Sequence, residues 1–398
     1  MVDAMNSPAS GHQTTWGEPG YGPRLDSGGY SQELDQERES AEDRIQEPFD
    51  PEHIDVRTRS MTIDLLLARL RRGVLDLTPD FQRRSDIWKP ENQSRLIESL
   101  LLRIPLPSFY AAENEDETWA MVDGVQRLTT IARFIQPESI GKEPLRLQGL
   151  EYLKYDGYTY EDLPGRLQTR LVETEVLIHL IGKTTPEEVK FNIFGRINTG
   201  GTPLSLQELR HALIPGRARD LLAELSESES FQRATRGSVN DARMSDREMV
   251  LRFLAFSITD LSEYTSNNLD AFLQDAMKKL NHWSEERIEG LKKDFEVSMS
   301  SAMEIFGEHA FRKALPGQHG RNPINKALFE TISVSLARLS ESERRALAER
   351  RERVVAGLGE LLNEREFNES VSVATGYPKR VRTRFRGIMD LFVEVIDG

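Results

Sequence analysis

The feature that most constrains this chain is a change in the period of its apolar residues near residue 216. Before that point, short apolar runs suited to strands, at 74–77, 108–112, 119–122 and 174–181, alternate with helical spacing at 62–72, 89–103, 126–135, 186–197 and 206–213. After it the pattern is wholly helical, at 217–225, 245–258, 269–280, 285–306, 323–339, 341–362 and 378–395. Strand, helix, strand, strand, helix is complete by Ile135, an order that favours a small mixed sheet over a regular doubly wound one. The expected fold class is α+β, with a mixed-sheet domain over 56–215 and an all-α helical domain over 216–398. Residues 1–55 begin rich in Gly, Ser, Pro and Gln and continue as an acidic series through Glu33, Asp35, Glu37, Glu39, Glu42 and Asp43. So little apolar surface does not offset the entropy of ordering, and a disordered, solubilising tail is expected there.

Composition narrows the chemistry. With no cysteine in 398 residues there is no disulfide framework, thiolate zinc site or cysteine nucleophile, so oxygen or histidine ligands must serve any metal. No apolar run reaches the roughly 20 residues that span a bilayer. No basic segment followed by an apolar core opens the chain, and a cytoplasmic protein without membrane partners is expected. The net charge of −13 argues against a uniformly basic nucleic-acid coat but leaves room for a local basic groove.

Three polar loops and one basic stretch stand out. In Met121-Val122-Asp123-Gly124-Val125-Gln126-Arg127-Leu128-Thr129-Thr130 an apolar strand breaks at Asp-Gly and a helix follows, with Leu128, Ile131, Ala132 and Ile135 on one face. The free N–H groups of such a helix start can hold an anion, which Gly124 admits close to the backbone and Arg127 can reach. Asp123 can hold a divalent cation there. The competing reading is that Asp123 caps the helix and Gly124 only turns the chain. The loop Thr78-Pro79-Asp80-Phe81-Gln82-Arg83-Arg84-Ser85-Asp86-Ile87-Trp88 gathers arginines, an amide and aromatics, with Trp88 read as packing on the next helix. Asn198-Thr199-Gly200-Gly201-Thr202 offers backbone donors suited to phosphate, or merely turns the chain before Ser205. Neither glycine loop fits the P-loop or the dinucleotide fingerprint. Lys379-Arg380-Val381-Arg382-Thr383-Arg384-Phe385-Arg386 is either a phosphate-binding segment or a surface helix. Tyr152, Tyr155, Tyr158 and Tyr160 read as a roof over a small core. His179, flanked by Ile178 and Leu180, reads as a hydrogen-bonded structural residue.

Together these motifs resemble the N-terminal domain family of GmrS/GmrD-type modification-dependent restriction systems, a relative of the ParB/sulfiredoxin fold known for a DGQQR motif. Here that motif reads Asp123-Gly124-Val125-Gln126-Arg127, with Val125 in place of the first glutamine. Phe81-Gln82-Arg83 with Trp88, Ile104-Pro105-Leu106-Pro107 and Arg196-Ile197-Asn198-Thr199-Gly200-Gly201-Thr202-Pro203-Leu204 also fit, so the similarity runs from about Arg57 to Leu213. Met244-Ser245-Asp246-Arg247-Glu248 and Asn325-Lys326-Ala327-Leu328-Phe329 look typical of stand-alone members. The resemblance implies an NTP-binding and NTP-hydrolysing sensor in phage defence, acting on DNA, including modified DNA, and controlling a nuclease. The histidines at 211, 282, 309 and 319 form no His-Asn-His arrangement, so a separate nuclease subunit is expected to cut. A homo-oligomer is also among the assemblies the resemblance allows.

The leading expectation places Mg²⁺ or another divalent cation and a nucleoside triphosphate at Asp123, with Gln126 and Arg127 completing the catalytic set. Gln82, Arg83, Gly124, Arg127, Arg196, Asn198, Thr199, Gly200 and Gly201 would bind the nucleotide. Arg84, Lys379, Arg380, Arg382 and Arg384 would bind nucleic acid. The alternatives are a DNA-binding module without turnover and a ParB-like metal-dependent endonuclease using Asp123.

Overall fold

A computed structural model of the chain describes residues 54–77, 88–197, 205–239, 243–313 and 322–398. The expected tail lies almost wholly outside these residues. Among them, β1 (Val56–Thr62), β2 (Leu75–Asp76), β3 (Phe109–Glu113), β4 (Trp119–Asp123) and β5 (Glu175–Ile181) form one sheet in the order β1-β5-β3-β4-β2. The β1/β5 and β3/β4 pairs are antiparallel and the β5/β3 and β4/β2 pairs parallel, so the sheet is mixed. Among the described residues only helices follow it, and the fold is α+β as the change of period requires.

β1 was not expected from the sequence. Its side chains are exposed from Val56 to Ser60 and only Met61 is buried, so the strand lacks an apolar alternation. Backbone pairing along its whole length, from Val56↔Ile181 to Thr62↔Glu175, holds it in place.

One sheet face is covered by α1 (Ile63–Arg71), α2 (Pro90–Leu101), α3 (Val125–Ile135) and α4 (Gly165–Glu173). Ile63, Ile97, Phe109, Leu128, Leu171 and Ile178 belong to the apolar core on this side. The helix ends follow local chemistry: Thr62 accepts from the Leu65 N–H at 3.3 Å to cap α1, and Pro90 opens α2, where its missing N–H costs nothing. Glu98 on α2 is buried and accepts the N–H groups of Glu151, Tyr152 and Leu153 at 2.7–3.0 Å, which pins the tyrosine-bearing loop. Tyr155 and Tyr160 pack on the core and Trp88 does likewise, while Tyr152 points outward.

The other face carries α5 (Glu187–Ile197) and α6 (Leu206–Leu213). Ala112, Val122 and Ile181 of the sheet meet Phe191, Phe194 and Leu209, and this core continues without a break into Leu222, Met249 and Phe253. Ser205 and Glu208 form a reciprocal capping box that sets the start of α6. The sheet therefore stands between two apolar cores, and the second is shared with the helices that follow.

Those helices are α7 (Arg217–Glu227), α8 (Glu229–Thr235), α9 (Ser245–Ile258), α10 (Leu269–Asn281), α11 (Glu285–Phe306), α12 (Lys326–Arg338), α13 (Glu341–Glu349), α14 (Arg351–Asn363), α15 (Arg365–Ser370) and α16 (Pro378–Asp397). The single helix expected over 341–362 is broken at Arg350, whose guanidinium donates to the carbonyls of Val395 and Ile396 at 2.6 and 2.8 Å.

A chain of ion pairs runs inside this helical region. Glu330 and Arg384 are both fully buried and paired, Arg252 reaches Glu330 at 3.3 Å and Glu248 at 3.0 Å, and Lys326 holds Glu248 at 3.0 Å. Arg210 of α6 pairs with Asp270 of α10. Burial alone would raise the Glu248 pKa, but Lys326, Arg252 and Arg210 outweigh it and hold the carboxyl well below the usual range.

Candidate functional site

The site is built where β4 ends. Trp119 to Val122 are buried, and Asp123 is the first residue of the strand to reach solvent. Gly124 follows at φ 94°, ψ 6°, a left-handed conformation that L side chains avoid, and a Cβ there would run into the Phe109 ring. The chain thus turns sharply into α3, whose first intrahelical bond runs from the Leu128 N–H to the Gly124 carbonyl at 2.9 Å. Among the described residues no side chain caps this helix, and as at any helix start the N–H groups of its first turn have no intrahelical acceptor.

Arg127 folds back over the strand. It donates to the carbonyls of Pro107 and, at 3.1 Å, Ser108, and to Asp123 Oδ2 at 3.0 Å, with Cζ 4.6 Å from the centre of the Phe109 ring. Its side chain is 12 % exposed and that of Asp123 33 %. Burial pushes the Arg127 pKa down, and the neighbouring Asp123 opposes that. Three acceptors and a ring face therefore occupy this guanidinium, which clamps the strand end, the 107–109 segment and one carboxylate oxygen together. Asp123 Oδ1 makes no hydrogen bond among the described residues.

Val125 is 6 % exposed and belongs to the core under the sheet, so the position that departs from the DGQQR pattern faces inward. Gln126 is half-buried beside it, and its carbonyl accepts from Thr130 Oγ1 at 2.8 Å.

Two residues that the sequence reading left outside the site join it through register. Thr58 pairs with His179, His179 with Tyr110 and Tyr110 with Asp123, which puts the four in a row across β1, β5, β3 and β4. Thr58 Oγ1 and His179 Nδ1 share a hydrogen bond of 2.9 Å, and the His179 ring stacks on Tyr110 at 4.7 Å. The expected structural hydrogen bond of His179 is present, and the same residue also forms part of a half-exposed aromatic wall next to Asp123. The only sequence signal for Tyr110 is a polar aromatic between Phe109 and Ala111.

The remaining expected residues divide in three. Gln82, Arg83, Arg84, Asn198, Thr199, Gly200 and Gly201 lie outside the described residues, as does the side chain of Arg196 at the end of α5. On α16, Arg382 is exposed, Lys379 is exposed near Glu366 at 3.5 Å, and Arg380 pairs with Glu369 at 3.0 Å. Arg384 corrects the sequence reading: it is fully buried, paired with Glu330, and donates to the carbonyls of Ser370 and Thr375 at 3.2 and 2.7 Å. Helical geometry turns it inward from its exposed neighbours, so it presents no charge to a phosphate backbone.

Among the described residues no group of three His, Asp or Glu side chains could hold a metal. A dedicated metal cage is therefore not part of the described site. A single carboxylate beside a helix start suits only a cation that brings its own further ligands, as Mg²⁺ does when it keeps waters and shares one or two carboxylates with substrate oxygens. A cleft of about 590 Å³ between α8 and α11, lined by Ser228, Arg233, Met299 and Glu304 among others, contains none of these residues.

Comparison with known families matches residues 63–215 to the GmrSD restriction endonuclease, N-terminal domain. No curated protein and no solved structure matches the chain. The matched span begins at α1 and ends after α6, so it takes in β2 to β5 and both helix layers, but not β1. No described helix is long and apolar enough to cross a membrane.

Proposed function

With residues 63–215 being a GmrSD-type restriction-system N-terminal domain, we propose that the Asp123–Arg127 junction binds a magnesium nucleotide and that the chain is the nucleotide-responsive component of a DNA restriction system. The observation that carries the reading is the division of the Asp123 carboxylate. Arg127 fixes Oδ2, while Oδ1 remains unengaged among the described residues, next to the uncapped start of α3. In this reading Asp123 Oδ1 holds the cation and the N–H groups of the first turn of α3 receive phosphate oxygens, favoured by the positive end of the helix. Arg127 acts as a positioning residue rather than as the phosphate ligand expected from sequence. In this reading Gln126 keeps the water-orienting role expected from sequence, and Tyr110 with His179 is the face for a base or ribose. The cation, when bound, supplies charge neutralisation of the phosphates. Hydrolysis belongs to the proposal together with control of a separate nuclease.

Isothermal calorimetry with Mg²⁺ and each nucleoside triphosphate, paired with a phosphate-release assay with and without DNA, tests this. Asp123→Asn should lower Mg²⁺-nucleotide affinity by at least tenfold, about 1.4 kcal/mol, while the melting temperature stays close to the parent. Unchanged affinity in Asp123→Asn, or no binding by the parent, overturns the assignment.

A second reading, DNA binding without turnover, is favoured by one observation: Lys379, Arg382 and Arg386 are exposed along one side of α16. It requires salt-sensitive DNA affinity and no phosphate release.

A further inference from the structure

β4 has a second end, and cations gather there too. Trp119, its first residue, is 2 % exposed, yet two guanidiniums stand against its ring. Arg69 Cζ lies 3.8 Å and Arg59 Cζ 5.6 Å from the ring centre. They arrive from different elements, Arg59 from β1 and Arg69 from the last turn of α1. Their charged centres are no farther apart than those two ring distances together.

Neither side chain makes a hydrogen bond or an ion pair with another described residue, and Arg69 Nε is buried without an acceptor. Arg57, two residues along the same strand, shows the contrast: Asp55 holds it with two contacts of 3.0 and 2.5 Å. Burial lowers the Arg69 pKa and the Arg59 charge lowers it further, with only Glu113 opposing. One stacked arginine stem is enough to cover a tryptophan. A second like charge beside it is a repulsive arrangement unless an anion neutralises both. Guanidinium forks match phosphate oxygens in geometry as well as in charge.

We propose that Arg59 and Arg69, seated on Trp119, form an oxyanion site for the phosphodiester backbone of DNA, separate from the nucleotide site at the other end of β4. Arg72, exposed three residues after Arg69, adds positive charge at the end of α1, while Arg71 turns to donate to Gln136 Oε1 at 3.3 Å. Trp119 and Asp123 are four residues apart along the strand, about 13 Å, so the two sites share no residue. The choice of DNA rests on the restriction-system reading; the oxyanion chemistry does not.

The test is fluorescence anisotropy of a labelled duplex with the full chain, titrated at several KCl concentrations from about 50 to 300 mM. Arg59→Gln and Arg69→Gln should each weaken binding and flatten the slope of log K against log[KCl] by about one, while Arg69→Lys keeps most of the slope. Circular dichroism melts confirm that the variants are folded, and the exposed Arg59→Gln remains informative if Arg69→Gln does not fold. Magnesium-nucleotide calorimetry on the same variants should be unchanged. Loss of nucleotide binding in the parent, with the slope effect intact, would reject the function proposed above and leave this site standing. Slopes equal to the parent, or no duplex binding at low salt, overturn the site. A thermal shift by inorganic phosphate that disappears in the variants while duplex binding does not would replace it by a free-anion site.

Discussion

Arg384→Met separates what this residue does from what its sequence context suggested. The guanidinium pairs with Glu330, and both side chains are 0 % exposed. Removing one partner of a buried pair costs about 3–5 kcal/mol, because the other charge stays behind without its counterion. Two features of the site pull in opposite directions. Arg252 still reaches Glu330 at 3.3 Å and softens the loss, whereas the carbonyls of Ser370 and Thr375 lose their donor. Each unsatisfied buried group adds about 1–3 kcal/mol unless water enters. A net destabilisation of about 3–5 kcal/mol follows, which at about 2–4 °C per kcal/mol lowers the melting temperature by roughly 6–20 °C. Glu330→Leu combined with Arg384→Met should recover much of this, since an apolar pair replaces a desolvated one. Arg382→Met, on the exposed side of the same helix, should move stability by no more than about 0.5 kcal/mol. Circular dichroism melts read all three. If Arg384→Met melts with the parent yet loses DNA affinity, the buried-pair argument fails and the phosphate-binding role returns.

Two further outcomes are expected. Gly124→Ala should destabilise by about 2–4 kcal/mol, combining left-handed strain with overlap on Phe109, whereas Gly73→Ala, at φ 68° with nothing near its Cβ, should cost only about 1 kcal/mol. Equal urea midpoints for the two variants would remove Phe109 from the explanation. Stability should also fall on acidification. Glu248 and Glu98 bind protons less tightly folded than unfolded, so their contribution is present above the ordinary glutamate value near 4.3 and is lost as pH drops through their lowered folded values. For Glu98, burial opposes this but the backbone donors of Glu151, Tyr152 and Leu153 prevail. Glu98→Gln should make the acid limb of a stability-against-pH curve shallower; an unchanged limb would remove Glu98 from the account.

The elements that were legible in the sequence are those whose apolar spacing or capping signal is sustained at their ends. α9 and α11 begin and end where their apolar spacing does, and α6 starts at a serine with glutamate three residues on. β1 was not legible because an exposed edge strand has no inner face to mark it. α4 was not expected from the sequence, since only Leu167 and Leu171 of its nine residues are buried. The candidate site was legible as a loop but not as a constellation. Nothing in the sequence says that Tyr110 and His179 pair across β3 and β5, because register is a property of the assembled sheet. Arg384 failed for the same kind of reason. A run of basic residues announces charge, but a helix distributes that run around its axis, and the share turned inward needs an acid that lies 54 residues away, at Glu330.

The same helical geometry bears on whether the motif that departs from DGQQR can still work. Successive residues of α3 point about 100° apart, and the three that follow Gly124 take three different environments. Val125 enters the core, Gln126 stays half-buried and Arg127 returns over Phe109. An amide at position 125 would therefore sit among apolar side chains with a desolvation cost of about 1–3 kcal/mol rather than beside Asp123. Valine there is the choice that packing favours, and restoring glutamine should lower the melting temperature without raising phosphate release. The capacity for hydrolysis, in the function proposed here, rests on Asp123 and Gln126, the two residues of the motif whose side chains neither enter the core nor clamp the strand end.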